Sequence, residues 1–224
     1  HVIMEKVCKF AKLDLFMVKP YLKKYMLLLF AVSIPVIITT KNIYMMSFIA
    51  MFYGVIMVSY PFALSEKNNI ENFYGTLSLK KRNIVNGRYI FTLGTMIFFT
   101  ILSYIIMIVG NVILKQGLEY SELLFVLVTG FFMSLILVSL QLPAYFKLGY
   151  TKGKIFTYVP FFVIAIGVPL LGSLMGESTE KFKAIAAYIE NNPVMVSIFL
   201  ILCGLLIFEI SNIVSQRLYI NRTA

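Results

Sequence analysis

From Tyr89 to Leu114 the chain reads YIFTLGTMIFFTILSYIIMIVGNVIL, a run without a single charge. A helix of about 20 apolar residues crosses the hydrocarbon core of a bilayer, so this stretch is long enough to cross once. Its surroundings are of the same kind. Of 224 residues, 60% are hydrophobic and 13% charged, with a mean hydropathy of +0.88, where a soluble domain carries roughly 25% charged residues. The chain therefore reads as an all-α integral membrane protein, a single transmembrane domain over 1–224 with no second globular domain.

Working outward, six stretches qualify as spans: 22–40, 43–64, 89–114, 123–142, 155–175 and 194–215. Lys23 and Lys24 shorten the first, but lysines at a helix end snorkel to the headgroups, and Pro20 sits where a first helical turn tolerates it. Lys41 and Asn42 leave a minimal turn, so the first two spans form a hairpin. Pro35, Pro160 and Pro169 fall inside spans and imply kinks that a bundle accommodates.

The net charge of +10 raises nucleic acid as a partner, but the basic residues stand in short clusters between apolar runs. Sixteen of the 20 Lys and Arg fall in 1–25, 65–88, 143–154 and 216–224, on one side of the proposed topology. Lys41, Lys115, Lys181 and Lys183 fall on the other, with Glu119, Glu122, Glu177, Glu180 and Glu190. By the positive-inside rule both termini and the two larger basic loops are cytoplasmic, and nucleic acid is not expected as a partner. The N-terminus is Lys-rich for too long before any apolar run to be a cleavable signal. Cys8 and Cys203 make neither a disulfide framework nor a metal-ligand spacing.

Residues 3–19 read as an amphipathic helix lying along the membrane. At 100° per residue Ile3, Met4, Val7, Phe10, Ala11, Leu15 and Val18 share one face. Lys9, Lys12 and Lys19 lie towards the other, where anionic headgroups attract them. Asp14 falls within the apolar face. Either it pairs with a cytoplasmic Lys or caps a neighbouring helix, or it anchors this helix to a cytoplasmic loop.

Catalytic groups are scarce. His1 is the sole histidine and Asp14 the sole aspartate, which removes serine–histidine dyads, paired aspartates and HExxH. Gly149-Tyr-Thr-Lys-Gly153-Lys154 approaches a phosphate-binding loop, but has one residue too few between its glycines and Ile155 where Ser or Thr is required. Glu209 is the one carboxylate in a span. As an intramembrane acid it is a functional candidate, although its nearness to Gln216 and Arg217 favours a structural ion pair with a basic loop. Ser47, Ala50 and Gly54, and Gly172 with Gly176, form small-residue faces that suit either packing within the bundle or a dimer interface. The pairs Phe98–Phe99, Phe131–Phe132 and Phe161–Phe162 face lipid or core, or line a path for amphipathic cargo.

The most patterned loop runs from Ser65 to Arg88. Glu66 to Tyr74 forms a short helix exposing Ile70, Phe73 and Tyr74 and closed by Gly75, and an exposed aromatic patch of this kind suits a docking protein. Lys80, Lys81 and Arg82 open a second short helix leading into the third span, in reach of anionic lipid.

On these residues the chain resembles the small permease subunits of bacterial type-2 ABC exporters. The matching positions are Glu66-Lys67 through Phe73, Thr76-Leu77-Ser78-Leu79, Arg82, Val85 and Arg88-Tyr89, with Lys12-Leu13-Asp14-Leu15 before the first span. Members typically carry proline where this chain has Leu79. The resemblance implies a six-helix permease in the bacterial plasma membrane, homodimeric or paired with a sister chain. Two cytoplasmic ABC ATPase subunits would bind the ATP and Mg, and this chain would bind no cofactor. Residues 3–19 become the elbow helix, anchored through Lys9, Lys12 and Asp14. Roughly 68–76 becomes the coupling helix, with Glu66, Lys67, Ile70, Glu71, Phe73, Tyr74, Thr76 and Arg82 meeting the ATPase. The compact layout is similar to exporters of amphipathic peptides such as phenol-soluble modulins. Two other readings compete: the substrate-capturing component of an energy-coupling importer, which requires a polar pocket near the outer face, and a protein that sequesters a peptide toxin, which requires no ATPase.

Overall fold

The computed structural model describes residues 2–70, 74, 80–115, 117, 119–156, 158, 188 and 192–222. Their regular structure is helical. Five long helices follow one another: α1 (Val2–Thr40), α2 (Ile43–Lys67), α3 (Lys81–Leu114), α4 (Tyr120–Gly153) and α5 (Pro193–Ile220). Among the described residues α2, α3, α4 and α5 are long and apolar enough to cross a membrane, and they carry the expected spans at 43–64, 89–114, 123–142 and 194–215. Residues 22–40, the expected first span, lie in the second half of α1, which is not among those four helices. The fifth, 155–175, lies outside the described residues except at 155, 156 and 158, as do the small pair Gly172 and Gly176.

The hairpin between α1 and α2 forms because Asn42 caps α2, its side chain accepting from the N–H groups of Tyr44 and Met45, two of the donors that a helix start leaves unpaired. Lys41 takes the left-handed conformation, φ 51°. At the start of α5, Asn192 precedes Pro193, whose missing N–H costs nothing in a first turn.

The central helix is α3, which packs on all four others. Val55 and Phe62 of α2, Tyr89 and Met96 of α3, Leu142 of α4 and Phe208 of α5 belong to one buried cluster. The small face of α2 does its work inside the chain. Ala50 is buried, and a Cβ on Gly54 would stand 3.1 Å from Phe99 Cβ, so α2 and α3 approach closely there. Ile97, Ile101, Ile105 and Val109 stand at helical spacing on the opposite, exposed side of α3, as expected of a face solvated by lipid.

The sequence separates an interfacial helix at 3–19 from a span at 22–40, whereas the structure runs both together as α1, with Pro20 inside it. The amphipathic face also meets protein rather than lipid. Val7, Phe10, Asp14 and Val18 are buried while Leu15 is exposed. Gly87 makes this contact possible, because any Cβ there would stand 2.8 Å from the Phe10 ring and 3.1 Å from the Val7 carbonyl oxygen.

Candidate functional site

The basic segments that the sequence assigns to one side meet at one end of the bundle, around the start of α3. Arg88, 3% exposed, is the hub. Its Nη2 donates to Ser65 Oγ of α2 at 2.6 Å, its guanidinium lies 4.1 Å from the Phe62 ring centroid, and its Nε stands 3.6 Å from Asp14 Oδ2 of α1. Ser65 in turn lies 3.4 Å from the hydroxyl of Tyr74. Asp14 is fully enclosed, and neither carboxylate oxygen has a hydrogen-bond partner among the described residues. Burial pushes its carboxyl up to about 7, and the nearby Arg88 charge offsets only part of that rise.

A second junction joins the end of α2 to the end of α4. Gly149 leaves helical geometry at φ 78°, so Tyr150 and Thr151 begin a new helical turn with free N–H groups. The Glu66 carboxylate fills that turn, accepting from the N–H of Tyr150, the N–H of Thr151 at 3.2 Å and the Thr151 hydroxyl. A carboxylate at a helix start is favoured both by those donors and by the helix dipole. The stretch that falls short of a phosphate-binding loop in sequence thus cradles an anion from its own chain.

A third junction holds the chain's last helix. Lys81 Nζ donates to the carbonyls of Ile220 and Arg222 at 3.2 and 3.1 Å, and Gln216 Nε2 donates to Asn86 Oδ1 at 2.8 Å. One turn further into α3, the Tyr89 hydroxyl lies 2.7 Å from Ser211 Oγ and 2.8 Å from Ser215 Oγ. Ser211 donates to the Ser139 carbonyl of α4 at 2.6 Å.

The expected site residues divide accordingly. Lys67, Lys80 and Arg82 are exposed. Tyr74, expected to be exposed, is buried. Its ring packs edge-on against Phe10 at 5.1 Å, and Ile70 is half-buried against the same cluster. The N-terminal part of α1 covers this face, which a reading of the loop alone does not include. Glu66 is spoken for within the chain. Glu71, Phe73 and Thr76 lie outside the described residues. Of the anchor residues, Lys9 pairs with Glu5 at 2.6 Å and Lys12 is exposed. Glu209 faces outward and accepts from Asn212 Nδ2 at 3.5 Å, which is not the expected pair with a basic loop. The hub role of Arg88 and the Gly149–Thr151 cradle were missed. A lone buried acid near a span start, and a glycine followed by a hydroxyl residue, were the available signals.

The family model described as ABC-2 family transporter protein matches residues 10–220. The chain belongs to the ABC-2 transporter family. No curated protein and no solved structure matches it. The match takes in α1 from Phe10 onward and all three junctions apart from Arg222. An ABC-2 chain is the membrane component of an ABC transporter, a permease that is generally not catalytic and works with an ABC ATPase subunit.

Proposed function

We propose that this permease is the membrane half of an ATP-driven exporter that moves amphipathic peptides out of the cell. It would sit in the bacterial plasma membrane with six spans, the fifth at 155–175, and with both termini cytoplasmic. Two copies, or one copy and a sister chain, would engage two ATPase subunits through the segment at 66–82, which acts as the coupling element. The observation that carries this reading is the convergence of the other three basic segments on that element. Tyr74–Phe10, Glu66–Thr151 and Lys81–Ile220 link it to α1, α4 and α5, so a push on the segment reaches every described helix. Family membership favours this reading over an importer's capture component or a toxin-binding protein. Export and a peptide cargo rest on the family resemblance and on the apolar spans.

Tyr74 does not serve as a probe of docking, because it is part of the packed interior. The exposed charges Lys67 and Arg82 do. The permease is co-expressed with each candidate ABC ATPase subunit of the same genome and purified in mild detergent, as wild type and as Lys67→Glu/Arg82→Glu. Retention of the ATPase by the wild type and its loss from the folded variant supports the reading. Equal retention places the contact elsewhere, and no retention by either removes the exporter assignment.

A further inference from the structure

α1 and α3 run side by side from the basic end, and between them lies a groove of about 500 Å³ that the transport reading does not use. Ala11, Lys12 and Leu15 form one wall, and Ile90, Gly94 and Phe98 the other. The walls are apolar and no acidic residue lines them. The groove is open beside Gly94, where a Cβ would meet nothing within 4 Å. Ile90 and Phe98 are about half exposed and lie on a helix long and apolar enough to cross the membrane. Their side of the groove extends roughly 12 Å along α3 at the helical rise per residue.

Lys12 is the one cation in the lining, and it sits at the basic end. The ion pairs Glu5–Lys9 and Asp14–Arg88 do not engage it. An apolar slot in a membrane helix pair, with a single ammonium group at its mouth and no acid among its lining residues, is complementary to a chain with an anionic head. We infer that this groove holds an acyl chain of an anionic phospholipid, with the phosphate against Lys12. The inference needs only that the chain spans a bilayer, and it stands whether or not the transporter exports peptides.

The chain contains no tryptophan, so one introduced residue reports alone. Phe98→Trp places the reporter in the groove, and Phe199→Trp places it on the exposed side of α5. Each full-length variant is reconstituted in vesicles of phosphatidylcholine with a fraction of phosphatidylglycerol, and one lipid or the other carries brominated chains. The expected result is about a five-fold preference of the groove for phosphatidylglycerol, from one Lys near the surface. That preference falls to unity on adding Lys12→Gln, and Phe199→Trp shows none. Equal quenching by both lipids at Phe98→Trp overturns the inference, as does a preference that survives Lys12→Gln. So does the absence of quenching by either lipid, which means that protein, a second copy included, fills the groove. Leu15→Trp, on the opposite wall, gives the same readout if Phe98→Trp fails to fold.

Discussion

Arg88 Nε stands 3.6 Å from Asp14 Oδ2, and neither side chain reaches solvent. The pair joins the N-terminal part of α1 to the first turns of α3, but at that distance it makes no hydrogen bond. Both carboxylate oxygens are thereby stripped of water with Arg88 the one cation paired to them among the described residues, so the neutral form of Asp14 is favoured.

This fixes the sign of a pH dependence. The folded carboxyl titrates at about 7, against about 3.9 in an unfolded chain. Between those values the folded state holds a proton that the unfolded state has lost, so stability is full below about 4 and declines as pH rises towards 7. Thermal unfolding in detergent at pH 5 and pH 8 should show the wild type losing stability relative to Asp14→Asn. A gap between the two that stays constant with pH would show that Asp14 does not titrate in this window.

Removing the other partner should hurt more, and unequally with pH. Arg88→Ala leaves Asp14 enclosed without a counter-charge, at a cost of about 3–5 kcal/mol when the carboxyl is ionised. At pH 5 the carboxyl is protonated and the cost should shrink. Adding Asp14→Asn to Arg88→Ala should recover part of the loss at pH 8 and little at pH 5. A loss identical at both pH values would assign the role of Arg88 to its contacts with Phe62 and Ser65 alone.

Four of the expected spans were legible because hydrocarbon imposes length and composition directly. Tyr89–Leu114 needs no knowledge of its neighbours to be read as a crossing. Asp14 was legible only as an anomaly, a charge on an apolar face, because its partner is 74 positions away in sequence. Tyr74 was misread for the same reason. Whether an aromatic residue in a loop is exposed depends on what covers it, here Phe10, and periodicity within the loop carries no information about that. The Glu66 cradle was hidden twice over: neither the acid nor the glycine turn is unusual alone, and only the fold brings them together.

Two glycines on the same helix offer a matched test of the α1–α3 contact. Gly87→Ala puts a Cβ 2.8 Å from the Phe10 ring and 3.1 Å from backbone at Val7, so α1 must move and stability should fall by about 1–3 kcal/mol. Gly94→Ala meets open space and should be neutral or stabilising by up to about 1 kcal/mol, the helix-propensity difference. Denaturant or thermal unfolding of both variants checks this. Equal effects would mean that α1 does not lie against Gly87.

The Glu66 junction makes a prediction about coupling between substitutions. Glu66→Gln keeps the shape but gives up the charge that the Tyr150 and Thr151 N–H groups receive, which should cost about 1 kcal/mol, as for a lost helix cap. Gly149→Ala should cost about 1–2 kcal/mol, because φ 78° brings a Cβ against backbone, and the new methyl would lie 3.0 Å from Glu66 Oε2. If both act through one junction, the second change finds it already open, and the double variant should lose less than the two separate losses together. Strict additivity in unfolding measurements would mean that the carboxylate and the turn are energetically separate. The end of α2 would then be held to α4 by packing such as Phe62 on Tyr145, whose ring centroids lie 5.0 Å apart.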